Sequence, residues 1–234
     1  MGRLDILSRS GEPFRNRDEA GRMLAVQLSR YKGRDVVVLG ILRGGIVVAR
    51  AIAEALGADL DIVLSRKIGA PGHEELAIGA VAESGRVFVN DAIASHTGAG
   101  EEYIERQKER QMKEIERRTA IFRDGLPKVS LAGKTAVVTD DGIATGATMT
   151  ASLWSLRQEE PEELIAAVPV ASEDRLRNIA EDADETICLR APEAFFAVGQ
   201  FYADFRQIDD EEVRMILKEY VKGPAEESGR RGEE

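Results

Sequence analysis

A single cysteine, Cys188, is all the chain has, so no internal disulfide can form, which fits a reducing cytoplasm. Its neighbours Thr186, Ile187 and Leu189 make it a small core residue. No run approaches the roughly eighteen apolar residues a membrane helix needs. The opening Met1-Gly2-Arg3-Leu4-Asp5 lacks a basic-then-apolar export signal, so a cytoplasmic, membrane-free protein is expected. Positive charge is also in deficit: 32 Lys and Arg face 42 Asp and Glu, a formal net charge of -10. That balance favours solubility and disfavours a generic electrostatic grip on nucleic acid or anionic lipid, while leaving room for a local basic pocket. Aromatic residues make up only 5% of the chain, and there is no internal repeat.

What is present is an alternation of short β-branched runs with segments of helical period. Val36 to Ile41, Ile46 to Leu56 and Asp61 to Ser65 read as a strand–helix–strand unit. The pattern resumes with a strand at Thr135 to Thr139, a helix over Thr148 to Arg157 and a strand at Leu164 to Val168. A helix over Glu173 to Asp182 and a strand at Thr186 to Leu189 follow. Such alternation implies an α/β fold with a mostly parallel sheet flanked by helices, and a ligand site beyond the strands' carboxyl ends. Between the halves lie a hairpin, Ala77 to Val81 with Val87 to Asn90, and a long charged helix over about 101–123, inserted with one thin apolar face. A C-terminal helix spans Asp209 to Tyr220. The chain reads as one domain over 1–222, with 223–234 as a disordered tail.

The most informative stretch runs from Ala136 to Thr148. An apolar strand delivers Asp140 and Asp141 to the sheet's carboxyl edge, where adjacent carboxylates can accept bonds from a vicinal diol or hold a divalent cation through water. Ala144, Thr145, Gly146, Ala147 and Thr148 then open a helix with closely spaced amides and two hydroxyls, a combination suited to a phosphate monoester. Diol and phosphate together describe a ribose 5-phosphate. The competing reading is that the acids merely end a strand and a threonine caps the helix.

This order of strand, acidic pair and Thr-Gly-x-Thr loop resembles the signature of the type I phosphoribosyltransferases. The resemblance extends from about residue 12 to about residue 210. It implies that Asp140 and Asp141 engage the ribose hydroxyls and, directly or through water in the metal's shell, Mg2+, and that Ala144 to Thr148 hold the 5-phosphate of 5-phosphoribosyl 1-pyrophosphate. It also implies a small hood over the site and a homodimer. Gly40-Ile41-Leu42-Arg43-Gly44-Gly45 alone is an ordinary strand-to-helix turn or an anion loop. In the resembled family this position is the pyrophosphate loop, often with a cis peptide, which assigns Arg43, Gly44 and Gly45 to the leaving group.

Ser65-Arg66-Lys67, followed by a Gly- and Pro-punctuated loop at 68–75, is similar to the pair preceding the mobile loop of orotate-type members. Arg66 and Lys67 would neutralise pyrophosphate, or be solvated loop charges. His73, or Glu75, would move a proton or bind pyrophosphate, or simply lie exposed; His96 reads as surface. The aromatic-rich segment 192–205 contains Phe195, Phe196 and Tyr202. It stacks on a planar acceptor or forms a satellite core; by resemblance it joins Phe14 to Arg17 in a hood over about 10–20 and 190–210.

The family's chemistry breaks the bond from C1 to pyrophosphate while positive charge builds on the sugar. Arg43, the Gly44 and Gly45 amides, Lys67 and Mg2+ would stabilise the leaving group, and Asp140 and Asp141 the ring. Ala144 stands where hypoxanthine-guanine members carry a proton-accepting aspartate, and Ala167 to Ala171 lacks their lysine. The 68–75 loop lacks the additional lysine of orotate-type members. The acceptor therefore stays open. A phosphoribosyl-pyrophosphate sensor acting on nucleic acid would need a basic surface, against which the charge speaks.

Overall fold

Period-two burial in the central strands decides the layering. Val36 and Val38 face one side of the sheet, while Val37, Leu39 and Ile41 face the other, and both sides are buried. Each such side chain contributes about 1.5–3 kcal/mol when taken from water, so a strand apolar on both faces requires helices on both.

In the computed structural model, which describes residues 2–222, the elements follow in order as β1 (Arg3–Ile6), α1 (Arg17–Gln27), β2 (Val36–Ile41), α2 (Gly45–Leu56) and β3 (Asp59–Val63). Next come β4 (Arg66–Ala70), β5 (His73–Val81), β6 (Val87–Val89), α3 (Asp91–His96) and α4 (Glu101–Phe122). The chain continues through β7 (Thr135–Thr139), α5 (Ala147–Arg157), β8 (Glu163–Val170), α6 (Glu173–Ile179), β9 (Glu185–Arg190) and α7 (Asp210–Lys222). A six-stranded sheet in the order β1-β9-β8-β7-β2-β3 is parallel throughout. Helices α1, α2 and α7 cover one face and α5 and α6 the other.

A second, antiparallel sheet, β4-β5-β6, lies outside this frame. Its Ile68, Ile78 and Val81 pack on Ile115, Tyr103, Ile104 and Met112 of the inserted helix α4. Ala77 and Ala80 pack on Ala151 and Trp154 of α5. Helix α4 is pinned at its end by Arg123, which binds Asp61 of β3 at 2.8 Å and Glu83 at 2.6 Å.

Three features differ from the sequence reading. The segment 68–75 is not a loop but a hairpin, because Pro71-Gly72, with Gly72 at φ +73°, makes a two-residue turn. Gly69 is no breaker there: a Cβ would meet the Glu74 carbonyl oxygen at 2.5 Å, so the strands close only around a glycine. Strand β1 and helices α1 and α3 carry too little periodicity to stand out. The tail at 223–234 lies outside the described residues.

Candidate functional site

The chain leaves β2 toward α2 and β3 in one direction, and leaves β7 toward α5 and β8 in the other. Adjacent strands whose connections diverge leave a crevice at their carboxyl ends. Residues 42–45 and 140–148 occupy it.

Asp140 and Asp141 follow β7 directly. The Asp140 Oδ1 accepts the Asp141 amide at 2.8 Å, and Asp141 Oδ2 accepts Arg17 Nε and Nη2, each at 2.8 Å. The other oxygen of each carboxylate has no hydrogen-bond partner among the described residues. Burial, and then the Asp141 charge, push the Asp140 carboxyl well above the usual carboxylate range, against the pull of the Asp141 amide and Arg17. Burial also raises Asp141, opposed by Arg17. Both groups stay deprotonated only at a cost that a cation or hydrogen-bond donor in the crevice would relieve.

The glycine turn interlocks with this pair. A Cβ on Gly44 would lie 1.9 Å from Asp141 Oδ2, and one on Gly45 would lie 2.8 Å from the Thr139 carbonyl oxygen. Glycine is required for the two loops to touch, a steric reason beyond access of an anion to the amides. The Leu42–Arg43 peptide is cis.

Beyond the acids, Ile143 donates its amide to the Val170 carbonyl at 2.9 Å, which ties the loop to β8. Gly146, at φ +84°, caps α5 without any side-chain hydrogen bond to the first turn. Thr145 Oγ1 reaches the Ala147 amide only at 3.5 Å, the limit of a bond, and Thr148 is exposed. The helix-capping reading rests on that one long contact among the described residues, which leaves the α5 N-terminus largely uncapped by side chains. A cavity of about 470 Å3, lined by Thr145, Gly146 and Ala147 and by Arg175 of α6, opens beside the loop.

Over the crevice, residues 14 and 202 pair as a short parallel bridge joining two remote segments. Tyr202 donates its hydroxyl to the Asp141 carbonyl at 2.6 Å, and Val198 fills the space that a Cβ on Gly142 would need. Arg17, 7% exposed, binds Asp141, donates Nη1 to the Arg206 carbonyl at 2.8 Å, and lies over the Phe205 ring at 3.9 Å.

Comparison with known proteins identifies the family. A family model described as Phosphoribosyl transferase domain matches residues 15–206. The chain belongs to the phosphoribosyltransferase family. Two Mycobacterium tuberculosis proteins, from strains CDC 1551 / Oshkosh and ATCC 25618 / H37Rv, are provisionally named phosphoribosyl transferases. Each is 42% identical over 204 residues, 87% of this chain. The match covers 46% of each relative, so the chain spans about half the length of the curated relatives it matches. The crystal structure of TT1426 from Thermus thermophilus aligns with TM-score 0.82 and 42% identity, over 88% of this chain and 97% of that one. The parallel sheet flanked by helices is the type I phosphoribosyltransferase fold anticipated from the motif.

In this phosphoribosyltransferase-family chain the remaining residues singled out in the sequence are dispersed. Arg43 is exposed and reaches Asp210 of α7 at 3.6 Å. Lys67 pairs with Glu75 at 2.8 Å. Arg66 turns onto α4, donating to Gln111 at 3.3 Å; burial and the neighbouring charges of Arg118, Arg110 and Arg117 lower its pKa. His73 starts β5 at the exposed hairpin turn. Phe195 packs inward on Phe201 at 5.1 Å, and Tyr202 is buried, so neither offers a free ring face. Phe196 is 89% exposed.

Arg17 is the site residue whose pairing the sequence did not disclose. The available signal was Asn16-x-x-Glu19, a helix-start pattern: Asn16 accepts the Glu19 amide at 3.0 Å, and Glu19 accepts the Arg15 amide at 2.6 Å. It places Arg17 at the head of α1 without revealing its partner. A divalent cation fits the acidic pair chemically, since each carboxylate keeps one hard oxygen without a hydrogen-bond partner among the described residues. No cluster of three or more potential ligands exists among the described residues. Such a site suits Mg2+, which takes one or two carboxylates and completes its shell with water and substrate oxygens.

Proposed function

We propose that the protein binds 5-phosphoribosyl 1-pyrophosphate with Mg2+ and transfers its phosphoribosyl group to a nitrogenous acceptor, releasing pyrophosphate. One observation carries the reading: two carboxylates, each with one oxygen unpartnered among the described residues, stand at the sheet's switch point, shortly before a helix N-terminus that has only one long side-chain contact there. Capped helices and saturated acids are the ordinary structural outcome, so this conjunction favours a ligand bearing both a diol and a phosphate.

In this reading, the amides of residues 144–148 and the α5 dipole take the 5-phosphate, while Asp140 and Asp141 accept the ribose hydroxyls. Asp140 and Asp141 would also hold Mg2+, which supplies charge to neutralise the departing pyrophosphate. The bond from C1 to pyrophosphate breaks and one from C1 to the acceptor nitrogen forms, with the paired carboxylates lowering the cost of positive charge on the ring. The glycine turn, held against Asp141, sets the leaving-group side of the crevice. Phe196 at the hood surface offers a free aromatic face to a planar acceptor.

The test is thermal and chemical. Phosphoribosyl pyrophosphate with Mg2+ should raise Tm through linkage, and Asp140→Ala with Asp141→Ala should abolish the shift in a folded protein. Pyrophosphate release across a panel of bases and amines then identifies the acceptor. A double variant that keeps the whole shift would remove the ribose assignment.

A further inference from the structure

The hood and the acidic pair are joined by one buried guanidinium. Arg17 directs Nε and Nη2 to a single oxygen of Asp141, Oδ2, and spends Nη1 on the Arg206 carbonyl in the opposite hood segment. Its flat face rests on Phe205, and the Gly44 Cα closes the space beside Oδ2. That oxygen is enclosed, which leaves Oδ1 as the acceptor available to a ligand. A guanidinium suits the task because its donors are fixed in a plane, whereas a lysine would present one mobile ammonium.

We infer that Arg17 is a positioning residue for the ribose: it fixes the rotation of the Asp141 carboxylate so that Oδ1 meets a ribose hydroxyl, and it makes that orientation depend on a closed hood. This inference rests on the ribose 5-phosphate assignment proposed above. Arg17 itself touches no reacting atom. The 5-phosphate loop lies outside its contacts, so losing Arg17 weakens recognition of the sugar and spares recognition of the phosphate. Purely structural damage would weaken both together.

The experiment measures the affinity of ribose 5-phosphate with Mg2+ and of inorganic phosphate, by calorimetry, for the wild type, Arg17→Lys and Arg17→Met. Losing an ordered charged hydrogen bond predicts about ten-fold or more weaker ribose 5-phosphate binding in Arg17→Met, and an intermediate loss in Arg17→Lys. Inorganic phosphate should stay within about two-fold, as expected for an independent site. Because Arg17→Met strands a buried carboxylate, Arg17→Met in an Asp141→Asn background provides the second arm. If Arg17 acts through Asp141, the added substitution changes ribose 5-phosphate affinity little beyond Asp141→Asn alone. Equal losses for both ligands, no loss in a folded variant, or fully additive losses in the double variant overturn the inference. A wild-type protein that binds phosphate but not ribose 5-phosphate overturns the ribose reading, and this inference with it.

Discussion

Two buried arginine–aspartate pairs, Arg123–Asp61 and Arg17–Asp141, share the same 2.8 Å contact and differ in what surrounds it. Asp61, 3% exposed, also accepts the amides of Ile62 at 2.7 Å and Val129 at 2.9 Å, and Arg123 spends its other donors on Glu83. That network is closed and serves to staple α4 to β3. Asp141 has one oxygen saturated and the other without a hydrogen-bond partner among the described residues, beside a second acid that burial holds above its ordinary range. A completed network serves architecture, whereas an interrupted one leaves acceptor capacity of the kind a binding site needs.

The largest effect should come from breaking the closed pair. Arg123→Met strands Asp61 and Glu83, and urea denaturation should register a loss of about 3–5 kcal/mol, with ribose 5-phosphate affinity unchanged in the folded fraction. Asp140→Asn should do the reverse. Its amide oxygen can still accept the Asp141 amide, so the ligand-induced Tm shift collapses while ligand-free Tm at neutral pH rises by about 2–4 °C.

The sign follows from the raised pKa. A carboxyl that holds its proton more tightly when folded favours the fold below its unfolded pKa and loses that advantage as pH climbs through the folded value. The Tm gap between Asp140→Asn and wild type should therefore widen from about pH 4 to neutrality; a gap constant with pH would contradict the raised value. Tyr202→Phe removes one bond to the Asp141 carbonyl, and denaturation should show a loss of about 1 kcal/mol. Smallest of all, Phe196→Ala should leave stability within about 0.5 kcal/mol, so any effect on pyrophosphate release reports the acceptor.

Central strands, the acidic pair after β7 and the start of α5 were legible in the sequence because each is local: alternation, adjacency and a helix start lie within a dozen residues. Arg17 was not, since its partner stands 124 positions away and no local pattern encodes that meeting. Gly44 was legible as a glycine but not as the neighbour of Asp141, for the same reason. Strand β1 has four residues at the sheet edge, too few to establish a period, and α1 hides behind Gly21. That glycine looks like a helix breaker, yet it is needed: a Cβ would meet Ala51 Cβ and the Val48 carbonyl oxygen, each at 2.7 Å, where α1 crosses α2. Arg66 and Lys67 are adjacent in sequence but turn to different partners, because successive strand residues point to opposite faces.

The pairing of β1 with β9 sets Arg3 opposite Glu185. On the ribosome, β1 must wait for about 180 further residues before it finds its neighbour. The segments that close over Asp141 come from the same two distant stretches, so a nascent chain holds a nearly finished sheet while its crevice still stands open. Topology of this kind slows folding, and it makes the site among the last parts of the molecule to be assembled.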